Sequence, residues 1–166
     1  NEKKVLLIDG DLRRGHLHEY LGIERENGLS DFIGGDIPIG QVLHETTVPG
    51  LTLIPTGTLP PNPAELLLHQ RFANILSVLG PRYDHIIIDS PPILAVTDAA
   101  IIGQMVGGVL MVLKSGVHPM REIEQAVKRL QQAEVNLRGI LLNDVRMSGK
   151  RYGAGKYHYQ YSYKNN

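Results

Sequence analysis

Cysteine and tryptophan are absent from this sequence, and phenylalanine occurs only twice among its 166 residues. Without cysteine the chain can form neither disulfide bonds nor thiolate metal sites. It also has no apolar run approaching the roughly 18 residues that a membrane-spanning helix needs, and no pattern typical of a signal peptide. The chain as given is therefore expected neither to cross a membrane nor to be secreted. Its length fits one domain with a sizeable buried core.

A phosphate-binding loop of the G-x-x-x-x-G-K-[ST] type is missing as well. Such loops hold nucleotide phosphates with backbone N–H groups and a lysine. The stretch from Gly153 to Lys156 resembles the end of this motif, but Tyr157 follows it where the motif requires serine or threonine. No apolar strand precedes the stretch, and no apolar helix follows it. We therefore predict that this chain alone does not bind ATP tightly.

Positive charge is scarce in the body of the chain and concentrated at its end. Residues 1–145 contain all 17 acidic residues but only 12 of the 17 basic ones, which gives a net charge of −5. Residues 146–166 contain five basic residues, no acidic residue and five of the seven tyrosines. This division predicts an α/β domain over residues 1–145 and a flexible, basic, tyrosine-rich tail over residues 146–166.

Basic residues that alternate with aromatic ones can also bind nucleic acid. That interpretation explains the tail but not the carboxylates described below. We therefore expect no nucleic-acid partner.

Continuous apolar runs alternate with helical patterns along residues 1–145. A continuous run indicates a strand that is buried on both faces. Strands that alternate with helices are typical of a parallel β-sheet with helices on both faces. The sequence therefore predicts an α/β fold whose five strands lie at residues 5–8, 51–54, 85–88, 109–113 and 140–142.

Three longer helices are predicted between these strands. The first begins after Asn62, has Pro63 in its first turn and runs to about Leu79, with Glu65 as a capping partner of Asn62. The second lies near residues 98–105. The third begins at Pro119, and its spacing places four apolar side chains on one buried face: Met120, Ile123, Val127 and Leu130.

Carboxylates follow two of the predicted strands where each strand ends. Asp9 and Asp11 come after the first strand, and Asp89 ends the apolar run at 85–88. Parallel α/β sheets bind ligands outside the carboxyl ends of their strands, and an aspartate after an apolar strand is typical of Mg²⁺ sites for nucleotides. Each aspartate could instead cap a turn. Because two strands deliver three carboxylates to one edge, we favour the metal site.

The motifs resemble those of the bacterial tyrosine autokinases of capsular and exopolysaccharide systems. Residues 6–15 look like the Walker A′ motif of that family, and residues 86–92 look like its Walker B motif. Residues 55–67, with Pro60-Pro61-Asn62-Pro63, and residues 93–99 are similar to further characteristic segments. The terminal tyrosine cluster completes the match. The resemblance implies a P-loop NTPase-like fold, related to the deviant-Walker partition and septum-positioning ATPases, with its first strand and P-loop missing from this chain.

The resemblance also implies roles for particular residues. Asp9 would be the catalytic base that accepts the tyrosine proton, Asp11 and Asp89 would be catalytic and bind Mg²⁺, and Arg13 or its neighbour Arg14 would contact phosphate or an adjacent subunit. Asn143 would touch the adenine of ATP. The phosphorylation sites would be the tail tyrosines, which are Tyr152, Tyr157, Tyr159, Tyr161 and Tyr163.

By the same resemblance, the intact protein would use Mg-ATP to phosphorylate its own tyrosines in trans and so control polysaccharide polymerisation and export. It would form a homo-oligomeric ring at the inner face of the bacterial plasma membrane. A membrane-spanning chain-length regulator would be fused or docked upstream, and a tyrosine phosphatase would reverse the modification. Two alternatives stay open: a non-catalytic regulatory or scaffolding fragment of this fold, and a partition or septum-positioning ATPase.

Overall fold

The computed structural model describes residues 3–35 and 37–145. The predicted tail and its five tyrosines lie outside the described residues. Within them, the chain forms six strands and six α-helices. The strands are β1 (Val5–Asp9), β2 (His44–Glu45), β3 (Leu51–Ile54), β4 (His85–Asp89), β5 (Val109–Lys114) and β6 (Leu137–Asn143). The helices are α1 (Leu17–Leu21), α2 (Leu29–Gly34), α3 (Pro63–Leu67), α4 (Gln70–Leu79), α5 (Asp98–Met105) and α6 (Met120–Gln132).

The strands form two groups. The first is a four-stranded sheet in the order β2-β3-β1-β4, in which β1 runs parallel to both β3 and β4. The second is the parallel pair β5-β6. The α/β class and the five predicted strands are confirmed. Strand β2, which pairs antiparallel with β3, was not predicted, because two residues are too short to show any periodicity.

The predicted sheet is not continuous in the described part of the chain. Strand β4 ends the first group and β5 begins the second, and no described strand pairs with both. The Ile87 side chain in the middle of β4 is 54% exposed. The apolar run predicted the strand correctly, but the neighbours that would bury it are not among the described residues.

The main core lies against one face of the first sheet. Leu6 and Ile8 of β1 and Ile54 of β3 are fully buried there. Helix α4 contributes Phe72, Ile75 and Leu79, whose spacing places them on one side of the helix. Other buried members of this core are Leu12, Leu29, Ile33, Val42, Leu67 and Ile102.

The long helix predicted from Asn62 to Leu79 is wrong, because the chain breaks it into α3 and α4. His69 adopts an extended backbone conformation (φ −68°, ψ 140°), and its Nδ1 accepts a hydrogen bond from the backbone N–H of Arg71 at 3.2 Å. His69 is thus the N-cap of a new helix. Asn62 bonds the Glu65 carboxylate through its side-chain amide (3.0 Å) and does not cap the backbone.

Helix α6 is confirmed, with Pro119 as its N-cap residue. Its predicted buried face is only partly correct. Leu130 is buried together with Ala126, but Met120 is 68% exposed. Periodicity gives the direction of an apolar stripe but not the point at which the surface beneath it ends. Over the described ranges, no helix combines the length and the apolar character needed to cross a bilayer.

Candidate nucleotide and metal site

Asp9 and Asp89 end neighbouring strands at the same edge of the sheet. They are direct partners in the parallel pairing of β1 with β4. The next backbone N–H along, that of Gly10, donates to the carbonyl oxygen of Asp89 at 2.9 Å. A Cβ atom at position 10 would lie 2.6 Å from that oxygen, so this close approach requires glycine. The pairing brings the two predicted carboxylates together.

Asp9 is fully buried and organises the loop that follows it. Its carboxylate accepts hydrogen bonds from the backbone N–H of Asp11 (3.3 Å) and of Leu17 (3.1 Å). The Thr56 hydroxyl is buried beside this carboxylate, and its closeness lowers the pKa of Asp9 against the larger effect of burial. A Cβ atom at Gly15 would overlap both the Thr56 hydroxyl and the Asp9 carboxylate. Asp9 therefore holds residues 9–17 as a closed turn around its own side chain.

Asp11 lies in the same turn but is only half-buried. One carboxylate oxygen, Oδ1, accepts the backbone N–H groups of Arg13 and Arg14, each at 3.0 Å. These bonds fix the carboxylate from one side. Asp11 is therefore preorganised at the edge where Asp9 and Asp89 meet.

The carboxylates are crowded, as their pKa values show. Burial raises the pKa of Asp9 above its ordinary value of 3.8, although the N–H of Leu17 opposes the effect. The Asp89 side chain is exposed to solvent on one side. Partial desolvation by the surrounding protein is the main cause that raises its pKa, and the negative charge of Asp9 raises this pKa further. A cation bound between these groups would relieve both effects.

Oxygen donors of this kind suit Mg²⁺, which is usually held by one or two carboxylates together with water and substrate phosphates. Within residues 3–35 and 37–145, no cluster of three or more His, Cys, Asp or Glu side chains is arranged to hold a metal ion by itself. The arrangement fits an ion that is completed by a nucleotide and does not fit a closed structural metal site.

Arg13, predicted to contact phosphate, is bound to a residue that the sequence did not single out as a site residue. Its Nε and Nη2 donate to the two oxygens of Asp98 at 2.8 and 3.0 Å. The Asp98 side chain is fully buried, whereas that of Arg13 is 38% exposed. A phosphate contact by Arg13 stays a prediction. The structure shows the guanidinium anchoring the turn that carries Asp11 to the first residue of α5.

Asn143 is the last residue of β6 and pairs with Lys114 at the end of β5. Its side-chain oxygen accepts the backbone N–H of Asp144 at 2.8 Å. It belongs to the second group of strands and shares no strand pairing with the aspartates. An adenine contact at Asn143 stays a prediction, as do the five phosphorylation sites outside the described residues.

Sequence reasoning missed Thr56, Gly15 and Asp98 as parts of this site. Thr56 and Gly15 carry no charge, and they belong to the site only because they pack against the Asp9 side chain. Asp98 begins a helix, where an acidic residue is common for other reasons. One signal could have identified Asp98, because it lies in a stretch that otherwise contains apolar and small residues. A carboxylate that is buried in such a stretch needs a partner.

A cavity of about 890 Å³ lies beside the aspartates, between β4 and β5. Its walls include Ile86 to Asp89 on one side and Val109 to Leu113 on the other. Helices α5 and α6 contribute Ile102, Ala126 and Leu130. The lining is mostly apolar, and the cavity reaches the carboxyl edge at Asp89 and Ser90.

Known proteins share this combination of sequence and fold. The tyrosine-protein kinase wzc of Salmonella typhi is 44% identical over 161 residues, which cover 95% of this chain and 22% of that protein. The chain spans about a fifth of the length of the curated relatives it matches. No profile of a known protein family matches the sequence.

Solved kinase domains have the same fold. The kinase domain of the Escherichia coli tyrosine kinase ETK superposes with a TM-score of 0.85 at 39% identity, over 93% of this chain and 61% of that one. The VpsO kinase domain superposes with a TM-score of 0.81 at 30% identity, over 87% of this chain and 71% of that one. The cell division ATPase MinD of Pyrococcus furiosus matches at 22% identity with a TM-score of 0.67, which shows the fold alone. This chain belongs to the bacterial tyrosine-kinase family and represents part of its kinase domain.

Proposed function

We propose that this chain supplies the carboxylates of the Mg-ATP site in a protein-tyrosine autokinase. The observation that carries the proposal is the juxtaposition of Asp9 and Asp89 at one strand edge, with Asp11 fixed beside them by the N–H groups of Arg13 and Arg14. Phosphoryl transfer depends mainly on positioning and on charge stabilisation by metal ions. Three oriented carboxylates at a sheet edge are suited to that task.

Asp11 and Asp89 are the residues that would hold Mg²⁺. Both can turn a carboxylate oxygen to solvent, and both are close to the charge of Asp9. Mg²⁺ held by these residues would supply positive charge to neutralise the nucleotide phosphates. The described residues around these carboxylates offer no phosphate-binding lysine loop, so the proposal assigns them the metal ion and not the phosphates.

Asp9 has two candidate roles. Its raised pKa makes it a better proton acceptor than an ordinary aspartate, as the role of base for the tyrosine hydroxyl requires. Its bonds to Leu17 and Asp11 also make it the anchor of the turn. If Asp9 is the base, the tyrosine hydroxyl has to reach the Asp9 carboxylate, which the turn of residues 9–17 encloses in this structure.

The wider function follows from the family. Relatives named tyrosine-protein kinases support tyrosine-kinase activity in the intact protein, and autophosphorylation of the tail tyrosines in trans is our proposal for how that activity is used. An acidic body of charge −5 attracts a tail of charge +5, including the tail of a neighbouring subunit. A ring of subunits, an upstream membrane-spanning regulator, a tyrosine phosphatase, control of polysaccharide export and a place at the inner face of the membrane belong to the same proposal.

The test uses a longer protein that carries this chain together with a phosphate-binding loop. Asp11→Asn and Asp89→Asn are expected to lower autophosphorylation at least a hundredfold and to raise the Mg²⁺ concentration needed for half-maximal rate. Asp9→Asn is expected to lower the rate by a similar factor with little change in nucleotide affinity. Asp84→Asn, which precedes β4 and lies at the opposite end of that strand from Asp89, is the matched control. Full activity of the Asp11 and Asp89 variants would contradict the role proposed for these carboxylates, and a scaffolding role would be supported if the unsubstituted protein showed no autophosphorylation.

A further inference from the structure

The loop of residues 55–58 forms one wall of the pocket that holds the Asp9 side chain. Strand β3 pairs in parallel with β1, so this loop and Asp9 both follow strands that end at the same edge of the sheet. Thr56 is fully buried in the loop. A Cβ atom at Gly15 would lie 1.8 Å from the Thr56 hydroxyl oxygen and 2.5 Å from each carboxylate oxygen of Asp9. The position of the loop therefore decides how the hydroxyl packs against the carboxylate.

The main chain of the 55–58 loop is bonded to the segment that leads into α2. Three backbone hydrogen bonds join the two segments: Leu29 N–H to the Pro55 oxygen (2.8 Å), Ser30 N–H to the Thr56 oxygen (3.0 Å) and Gly57 N–H to the Arg25 oxygen (3.1 Å). These bonds involve no side chain, so they persist when side chains are changed. They bring the first turn of α2 against the loop.

Two side chains of α2 hold the far end of the loop. The Asp31 carboxylate accepts the backbone N–H of Thr58 at 3.2 and 3.3 Å, and the same carboxylate accepts the N–H of Gly28 at 2.9 Å. The Ser30 hydroxyl donates to the carbonyl oxygen of Thr58 at 2.6 Å. Gly57 has φ +84°, and a Cβ atom there would lie 2.5 Å from Asp31 Oδ2 and 2.6 Å from the Ser30 hydroxyl oxygen. The loop is thus enclosed by Asp31 and Ser30 and cannot shift independently of them.

We propose that Asp31 is a positioning residue of the aspartate site, which fixes the 55–58 loop and thereby holds the Thr56 hydroxyl against Asp9. Its hydrogen bonds go to the backbone of Gly28 and Thr58, so it acts through the loop and is not a catalytic residue. An effect of Asp31 on the phosphorylation rate rests on the function proposed above. Its effect on the geometry around Asp9 does not.

Hydrogen exchange tests the geometry without requiring activity. The reporter is the backbone N–H of Leu17, which donates to Asp9 on the far side of the site from Asp31. In a longer protein that carries this chain with a phosphate-binding loop, Asp31→Ala should speed exchange at Leu17 about tenfold more than at the amides of β1. Glu24→Ala removes the same charge at an exposed position and should leave Leu17 unchanged.

The alternative is that Asp31 only caps α2, since it accepts the N–H of Gly28 as a capping residue does. Faster exchange would then be confined to Gly28, Thr58 and the first turn of α2. That result would overturn the proposal. An equal rise at Leu17 and throughout β1 would also overturn it, because it would show a general loss of stability.

Kinetics of the same longer protein test the effect on the reaction. Asp31→Ala should lower kcat for autophosphorylation about tenfold, because small displacements of reacting groups are costly. The KM for Mg-ATP should change less than about twofold, since Asp11 and Asp89 keep their own bonds. Asp31→Asn keeps one oxygen that can accept both N–H groups, so it should restore most of the rate.

A double variant tests whether Asp31 acts through Thr56. Thr56→Val should lower kcat, and adding Asp31→Ala to it should cause little further loss, because both changes act on the same hydroxyl. Losses that multiply, or a raised KM with unchanged kcat, would overturn the proposal. If the unsubstituted protein does not phosphorylate itself, the proposed function fails, and the exchange at Leu17 still decides whether Asp31 positions the site.

Discussion

Arg13 and Asp98 form a bidentate ion pair across 85 residues of sequence, with Nε and Nη2 of the guanidinium at 2.8 and 3.0 Å from the two carboxylate oxygens. The carboxylate is fully buried at the start of α5. The backbone N–H of Arg13 meanwhile bonds Asp11. One residue thus links the turn that presents Asp11 to the helix beside the cavity.

Arg13→Ala should destabilise the fold because it leaves the buried Asp98 charge without its partner. Breaking a buried pair costs about 3–5 kcal/mol, and the partial exposure of Arg13 reduces the expected loss to about 1–3 kcal/mol. Urea unfolding measures it. Arg14→Ala, at an exposed neighbouring side chain, should change the free energy of unfolding by less than about 0.5 kcal/mol. Equal effects of the two variants would mean that the ion pair does not anchor the turn.

Asp89→Asn should stabilise the fold at neutral pH. The pKa of Asp89 is raised in the folded state, mainly by burial and then by Asp9. Its ionisation therefore destabilises the fold, and this effect grows as the pH rises through the raised pKa and vanishes below the ordinary value of 3.8. The gain from Asp89→Asn should follow the same course when unfolding is measured from pH 3 to pH 7.

Asp84→Asn provides a control of opposite sign. The backbone N–H of Lys4 and then the side chain of Lys3 hold the pKa of Asp84 below its ordinary value. Its stabilising effect is therefore present above that value and lost as the pH falls through the lowered pKa. Asp84→Asn should lower stability at pH 7 and have little effect in strong acid. The same sign for both variants would contradict the assignment of burial as the cause at Asp89.

Gly15→Ala should destabilise the turn around Asp9. An added Cβ would overlap the Thr56 hydroxyl and the Asp9 carboxylate, and forced overpacking of this kind costs about 1–3 kcal/mol. Gly40→Ala is the matched control, since a Cβ there meets nothing within 4 Å. Thermal unfolding compares the two. If the Gly15→Ala and Gly40→Ala proteins are equally stable, the turn accommodates the added Cβ without loss of stability, and the prediction is wrong.

The chain alone should not bind Mg-ATP at micromolar concentration. Its 166 residues contain no G-x-x-x-x-G-K-[ST] loop to neutralise the phosphates, and three carboxylates repel them. Calorimetry with Mg-ATP should give no saturable heat. Micromolar affinity would require a phosphate site other than the one proposed.

The sequence predicted the strands well because short continuous apolar runs, such as residues 5–8 and 85–88, are typical of buried strands. It also placed Asp9, Asp11 and Asp89 at one edge, since parallel strands end on the same side of a sheet. The apolar runs alone could not locate the break between β4 and β5, because an apolar run does not record which strands lie next to it, although the family resemblance implied that one strand of the fold is missing from this chain. The Arg13–Asp98 pair and the cap at His69 were missed for the same reason: each depends on contacts formed only after folding.

In the proposed mechanism, the aspartate cluster drives phosphorylation of tail tyrosines on a neighbouring subunit. The direct measurement mixes two forms of a longer protein that carries this chain with a phosphate-binding loop. One form has Asp11→Asn and Asp89→Asn with an intact tail, and the other has an active site but phenylalanine at all five tail tyrosines. We expect phosphate to appear on the tail of the inactive form, at Tyr157, Tyr159, Tyr161 and Tyr163, and Tyr152 is the fifth candidate position. No phosphate on that tail, together with self-labelling of an isolated active monomer with its own tail, would contradict it.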